Sequence, residues 1–175
     1  SAASDVYKRQ SKIPAVLTMI GSTATGQRVI ADSATSIKKL SMELGGNAPF
    51  IVFEDAAIDK ALDLAIGIKF GNSGQICVAA NRFFVHKSLY NSFLEKYVER
   101  VNNLKLGFGI DQKPDMGPMV TRNDRDRMFD LINDAKEKGG VLLVGGEIPK
   151  GMEDGNWMMP TVISAMTTEM RLFRE

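Results

Sequence analysis

The sequence predicts an α/β fold with a largely parallel sheet. Apolar runs rich in strand formers alternate along it with stretches of helical periodicity, the order such folds show. The composition supports a packed core. Of the 175 residues, 44% are apolar and 25% charged, ordinary values for a globular domain. No internal repeat or low-complexity tract interrupts the alternation.

Residues 1–10 offer no clear periodicity and read as a frayed or foreign leader. Residues 15–20 (Ala-Val-Leu-Thr-Met-Ile) form the first strand. The turn Gly21-Ser22-Thr23-Ala24-Thr25-Gly26 follows, then helical character over 27–34, with Ser22 or Thr23 suited to the N-cap. Strand, glycine turn and helix N-terminus in that order present free backbone N–H groups to an anion. A simple capped turn explains the same residues.

Residues 37–44 alternate as a strand, which Gly45 and Gly46 break. The unbroken apolarity of 50–53 marks a buried strand. Asp55 or Asp59 can begin a helix over about 58–70, apolar on most faces and expected in the interior. Residues 82–86 read as a strand. Ser88 is expected to cap a helix carrying Leu89, Phe93, Tyr97, Val101 and Leu104 at helical spacing. A third helix over 121–138 ends at Gly139 and Gly140. Residues 141–144 form a short buried strand, 145–157 a polar, glycine-rich surface excursion, and Thr161, Val162 and Ile163 pair into the sheet.

Charge and cysteine usage exclude several function classes. A net charge of +1 indicates no basic face for nucleic acid. The longest apolar run falls well short of the ~20 residues that span a bilayer. No secretory signal peptide is visible, and a cytoplasmic location is expected. One cysteine excludes an internal disulfide and fits a reducing compartment. One cysteine and one histidine argue against a zinc site, so no metal is expected. The ten methionines fill core gaps.

The chemistry concentrates in Phe70-Gly71-Asn72-Ser73-Gly74-Gln75-Ile76-Cys77-Val78-Ala79-Ala80-Asn81-Arg82. Gly71 and Gly74 flank two polar residues, so a loop interrupts an apolar run. Cys77 stands beside small residues that leave room at the sulfur. It is a candidate nucleophile, or a small buried hydrophobe. His86 invites a cysteine–histidine dyad, but an extended strand from Cys77 to His86 spans roughly 30 Å at ~3.3 Å per residue. Upstream, Met42-Glu43-Leu44-Gly45-Gly46-Asn47-Ala48-Pro49 sets a carboxylate at the end of an apolar run; alone it reads equally as a solvated strand end.

Together, Glu-Leu-Gly-Gly-Asn-Ala-Pro-Phe and, thirty-four positions after Glu43, Gly-Gln-Ile-Cys resemble the aldehyde dehydrogenase superfamily, closest to its succinate-semialdehyde dehydrogenase branch. The resemblance runs from about Ile13 to Glu175. It implies an internal fragment: residues 1–12 unassigned, 13–44 the C-terminal part of a Rossmann-type NAD(P)-binding domain, and 45–175 an incomplete catalytic domain with a parallel sheet. It further implies Cys77 as the nucleophile that attacks an aldehyde and Glu43 as the base that hydrolyses the resulting thioester. Gly21, Ser22, Gly26 and Leu44 are the implied cofactor-binding residues, with NAD or NADP as cofactor.

The implied partner is a small aldehyde, and the parent enzyme is expected to be a homo-oligomer. The isolated chain is expected to be catalytically silent, because the family's ribose-holding glutamate would follow Glu175. Two positions depart from the branch. Gly71 stands where an arginine often holds a substrate carboxylate, and Ala79 stands where a second cysteine sometimes occurs. A CoA-acylating relative needs no water base, so Glu43 argues against it. The remaining alternatives are a non-catalytic binding or structural protein on the same fold and an aldehyde dehydrogenase of other substrate specificity.

Overall fold

The computed structural model describes residues 7–110 and 113–175, and the chain divides into two compact units, Ser1–Gly46 and Asn47–Glu175.

In the first unit, strand β1 (Val16–Gly21) pairs in parallel with β2 (Lys39–Leu44), in register from Val16 opposite Lys39 to Gly21 opposite Leu44. Parallel strands need a crossover, and helix α1 (Thr23–Ser33) supplies it. Ser22 is the N-cap, its hydroxyl accepting from the Thr25 amide at 3.2 Å. The helix lies close on the sheet because Gly26 has no side chain; a Cβ there would stand 3.0 Å from the Leu44 side chain. Within the stretch read as a leader, residues 7–10 are helical and Arg9 pairs with Asp32 at 2.9 Å. Residues 1–6 lie outside the described residues.

In the second unit, β3 (Ala48–Val52) and β4 (Ala80–Val85) pair in parallel, joined through helix α2 (Ile58–Phe70) and the loop that carries Cys77. Helix α3 (Tyr90–Asn102) returns across the sheet and buries Phe93, Tyr97 and Val101, the positions its periodicity marks. Tyr97 is the hub of an aromatic group. Its ring lies 5.3 Å from Phe83, 5.7 Å from Phe93 and 6.4 Å from Phe70, and Phe83 meets Phe50 at 5.3 Å. Burial also pushes the Tyr97 phenol above its ordinary pKa. Leu62, Ala65, Val101 and Val52 complete this core, joined by Val144 and Val162. A second cluster of Met119, Ile132 and Met158 lies beneath helix α4 (Arg122–Glu137).

Several expectations are corrected. Among the described residues the strands form three two-stranded sheets, not one largely parallel sheet. The third, β5 (Val141–Val144) with β6 (Val162–Ser164), is antiparallel. No helix joins these two strands; the chain returns through turns over residues 145–161, consistent with antiparallel pairing. Gly145 makes the reversal at φ +70°; a Cβ there would meet the Pro160 carbonyl at 2.2 Å. The excursion over 145–157 is not wholly superficial, since Trp157 is buried edge-on to Phe108 at 5.1 Å.

Neither Asp55 nor Asp59 caps α2. Ala57 occupies the N-cap, and Asp59 sits in the first turn, where a carboxylate favours the helix dipole. Ser88 does not cap α3 either: Leu89 takes that place, and the Ser88 hydroxyl pairs with His86 Nδ1 at 2.8 Å. By contrast Thr121 caps α4, accepting from the Asp124 amide at 3.1 Å, and Gly139 ends that helix at φ +91°. Strand β3 is not buried throughout. Val52 is, but Ile51 is 58% exposed, because alternate side chains leave the face that packs on Tyr97. Helix α2 is likewise interior on one face only, but by helical period: Leu62 and Leu64, two positions apart, fall on opposite sides, Leu62 buried and Leu64 61% exposed.

That contrast is testable within one helix. Leu62→Ala removes a fully buried side chain and should cost about 2–5 kcal/mol. Leu64→Ala should stay within about 0.5 kcal/mol. Urea unfolding of the two variants, followed by circular dichroism, separates them; equal losses would mean that α2 does not present the face described.

Candidate active site

The loop between α2 and β4 is held at both ends by one ring. Phe70, the last residue of α2, and Phe83, in β4, both lie against Tyr97. Between them the backbone turns left-handed three times running, at Asn72 (φ 50°), Ser73 (φ 58°) and Gly74 (φ 74°). Asn and Gly tolerate that region; Ser73 does so at a cost of roughly 1–3 kcal/mol.

Side-chain bonds compensate. Ser73 Oγ donates to the Gly117 carbonyl at 2.8 Å, and Asn72 Nδ2 to the Gln75 carbonyl at 3.1 Å. Gln75 works in two directions. Its Nε2 donates to the Asn72 carbonyl at 3.1 Å, and its Oε1 accepts from the Val120 amide at 2.9 Å. The loop is therefore stitched to itself and to residues 117–120.

Cys77 rides on this frame in a turn closed by the Ala79 amide on the Ile76 carbonyl at 3.0 Å. Its side chain is exposed, whereas Ala79 and Ala80 behind it are buried. The reading of Cys77 as a small buried hydrophobe is thereby overturned. A rigid loop presenting an accessible thiol suits nucleophilic attack on a small electrophile. His86 lies at the opposite end of β4 and bonds Ser88, with Glu54 3.8 Å from its Nε2. It forms no dyad with Cys77.

Two residues that sequence reasoning passed over tie neighbouring segments to this loop. Arg82 Nε donates to the Asn47 carbonyl at 2.9 Å, and its guanidinium stands 5.8 Å from the Phe173 ring and 6.0 Å from that of Phe84. Asn47 Nδ2 in turn donates to the Phe173 carbonyl at 3.0 Å. Asn47 Oδ1 is buried without a partner among the described residues. The signal available was position alone: Asn47 follows Gly45-Gly46, and Arg82 closes the cysteine stretch.

The remaining candidates lie in the first unit, and the structure gathers them. Gly21 ends β1 opposite Leu44, and its carbonyl accepts from the Gly45 amide at 3.2 Å. Ser22 caps α1, and Gly26 packs on Leu44. Glu43 is exposed in β2, opposite Ile20. The first turn of α1 carries no acidic residue, so nothing there repels an anion. A helix N-terminus with small residues around it and no acidic residue in its first turn is chemically compatible with a dinucleotide phosphate. Among the described residues no group of three His, Cys, Asp or Glu side chains could hold a metal ion, and no helix is long and apolar enough to cross a membrane.

The aldehyde dehydrogenase family model matches residues 7–175. The chain belongs to the aldehyde dehydrogenase family. It is 41% identical over 160 residues to mitochondrial succinate-semialdehyde dehydrogenase of Oryza sativa subsp. japonica, covering 91% of this chain and 30% of that protein. It is 44% identical over 143 residues to succinate-semialdehyde dehydrogenase [NADP(+)] 1 of Schizosaccharomyces pombe, covering 82% and 28%. Among solved structures, succinate-semialdehyde dehydrogenase from Burkholderia pseudomallei superposes with a TM-score of 0.93 at 38% identity, over 98% of this chain and 35% of that one. Betaine aldehyde dehydrogenase from Staphylococcus aureus, in complex with NAD+, gives 0.92 at 31%, over 97% and 34%. The chain thus spans about a third of the length of these relatives.

The loop geometry makes Gly74 the position least able to accept a side chain. It is left-handed, and a Cβ would stand 3.0 Å from the Lys69 carbonyl. Gly74→Ala should destabilise the protein by about 1–2 kcal/mol. Thermal unfolding checks this; an unchanged midpoint would show that the loop relaxes freely.

Proposed function

We propose that this chain acts as part of an NAD(P)-dependent aldehyde dehydrogenase that oxidises an aldehyde to a carboxylate through a thioester on Cys77. The observation that carries the reading is the exposed Cys77 thiol on a braced loop, within a chain that matches the family over 7–175. The Cys77 sulfur bonds to the carbonyl carbon. The Cys77 backbone N–H, which has no acceptor among the described residues, is available to the oxyanion, a donor worth roughly 2.7–4 kcal/mol at acyl-transfer sites. When bound, the nicotinamide dinucleotide supplies the hydride acceptor; Gly21, Ser22, Gly26 and Leu44 would hold it. Glu43 takes a proton from water, which adds to the thioester, releases the carboxylate and returns the thiol. Ala79 leaves Cys77 without a neighbouring thiol for a disulfide switch.

The substrate we assign is a semialdehyde such as succinate semialdehyde, supported by the relatives' names. Gly71 favours a second reading, a different aldehyde, because it offers no guanidinium for a second carboxylate. The partners are then a small aldehyde and a dinucleotide, without nucleic acid or membrane. The resemblance also brings a homo-oligomer, and the free thiol suits a reducing, cytoplasmic setting.

In the full-length enzyme, Cys77→Ala should abolish aldehyde-dependent NAD(P)H formation while leaving dinucleotide affinity nearly intact. Residual turnover above a few per cent would remove Cys77 from the chemistry. Glu43→Gln should give a rapid burst of NAD(P)H followed by slow turnover, since hydrolysis becomes limiting. Stopped-flow absorbance reads it, and wild-type turnover would exclude Glu43 as the base. Comparing kcat/KM for succinate semialdehyde with that for a neutral aldehyde of equal length decides between the two substrate readings.

A further inference from the structure

The mouth of the Cys77 loop is closed by a contact that the chemistry above does not use. Lys69, next to the end of α2, donates from Nζ to Asn81 Oδ1 at 2.6 Å. Asn81 is the second residue of β4, so the pair brackets the whole loop with Cys77 inside it. A second observation places the same residue against the loop's turn. A Cβ at Gly74 would stand 3.0 Å from the Lys69 carbonyl and 3.7 Å from its Nζ. Lys69 therefore meets the loop both three residues before Cys77 and four residues after it.

Its partner is a neutral amide, and burial holds the ammonium below the ordinary lysine range. A long, flexible side chain pays entropy to stay in one geometry, and no carboxylate among the described residues draws it there. Phe70 and Phe83 already anchor the loop on its apolar side through Tyr97. The lysine bond ties the adjoining positions, 69 and 81, by a polar contact.

We infer that Lys69 is a positioning residue for Cys77, a clamp across the loop mouth that holds the thiol in its attacking geometry. The kinetic consequence rests on Cys77 being the nucleophile; the clamp itself is read independently, by backbone exchange. A nucleophile displaced by ~1 Å loses on the order of a hundredfold in rate, so partial loosening should cost about tenfold.

The test uses the full-length enzyme with Lys69→Met, Asn81→Ala, the double variant and Lys69→Arg. Either single change should lower kcat about tenfold with the dinucleotide KM within about twofold. The double variant should be no worse than the singles, because both remove one contact. Lys69→Arg should restore most of kcat. Amide hydrogen exchange over 74–79 should quicken in both single variants. Asn81 is exposed, so Asn81→Ala decides the matter if Lys69→Met does not fold. Wild-type kcat and exchange in the single variants, or additive losses in the double, would overturn the clamp. Quickened exchange with an inactive Cys77→Ala upholds both the clamp and the nucleophile. Quickened exchange with an active Cys77→Ala upholds the clamp and sinks the nucleophile instead.

Discussion

The contact of Phe70 and Phe83 with the Tyr97 ring is the constraint on which the Cys77 loop depends. A loop of this kind needs its ends fixed before its own hydrogen bonds can hold a shape. Here one buried ring on α3 receives both ends. Burying aromatic surface is worth several kcal/mol, enough to offset a left-handed serine and the ordering of an exposed turn. The polar stitching by Ser73, Asn72 and Gln75 then selects one conformation within the space that the ring leaves open.

Strain and exposure sit where chemistry is proposed. Within the second unit, Ser73 adopts an unfavourable backbone conformation four residues before an exposed thiol, while Ala79 and Ala80 behind it are buried. A buried thiol would meet no substrate, and a thiol on a loose loop would meet it in no fixed geometry. The arrangement avoids both. Arg82 and Asn47 extend the same logic outward, tying the backbone just after Gly46 and the chain at Phe173 to the first residues of β4.

Much of the local structure was legible because it depends on near neighbours. Thr121 is three residues from the amide it caps, and Ser22 likewise. Phe93, Tyr97 and Val101 share a face because a helix turns every 3.6 residues. Among the local readings, two kinds failed. Asp55, Asp59 and Ser88 are sound capping residues, but the helices begin elsewhere, at Ala57 and Leu89, and Ser88 is taken by His86. Residues 50–53 and α2 are apolar enough for full burial, yet composition does not say how many faces the rest of the unit covers.

The sequence by itself determined the α/β class, most element positions, and the two motifs that hold Glu43 and Cys77. Those follow from residue type, period and spacing, which are one-dimensional properties. Only the tertiary structure decided that Cys77 is exposed, that β5 and β6 run antiparallel, and that Tyr97 receives both ends of the loop. It also decided that Lys69 reaches Asn81 and that Arg82 reaches Asn47, contacts between residues 12 and 35 positions apart. Such pairings depend on where helices and strands come to rest against one another, and no local pattern in the chain encodes that.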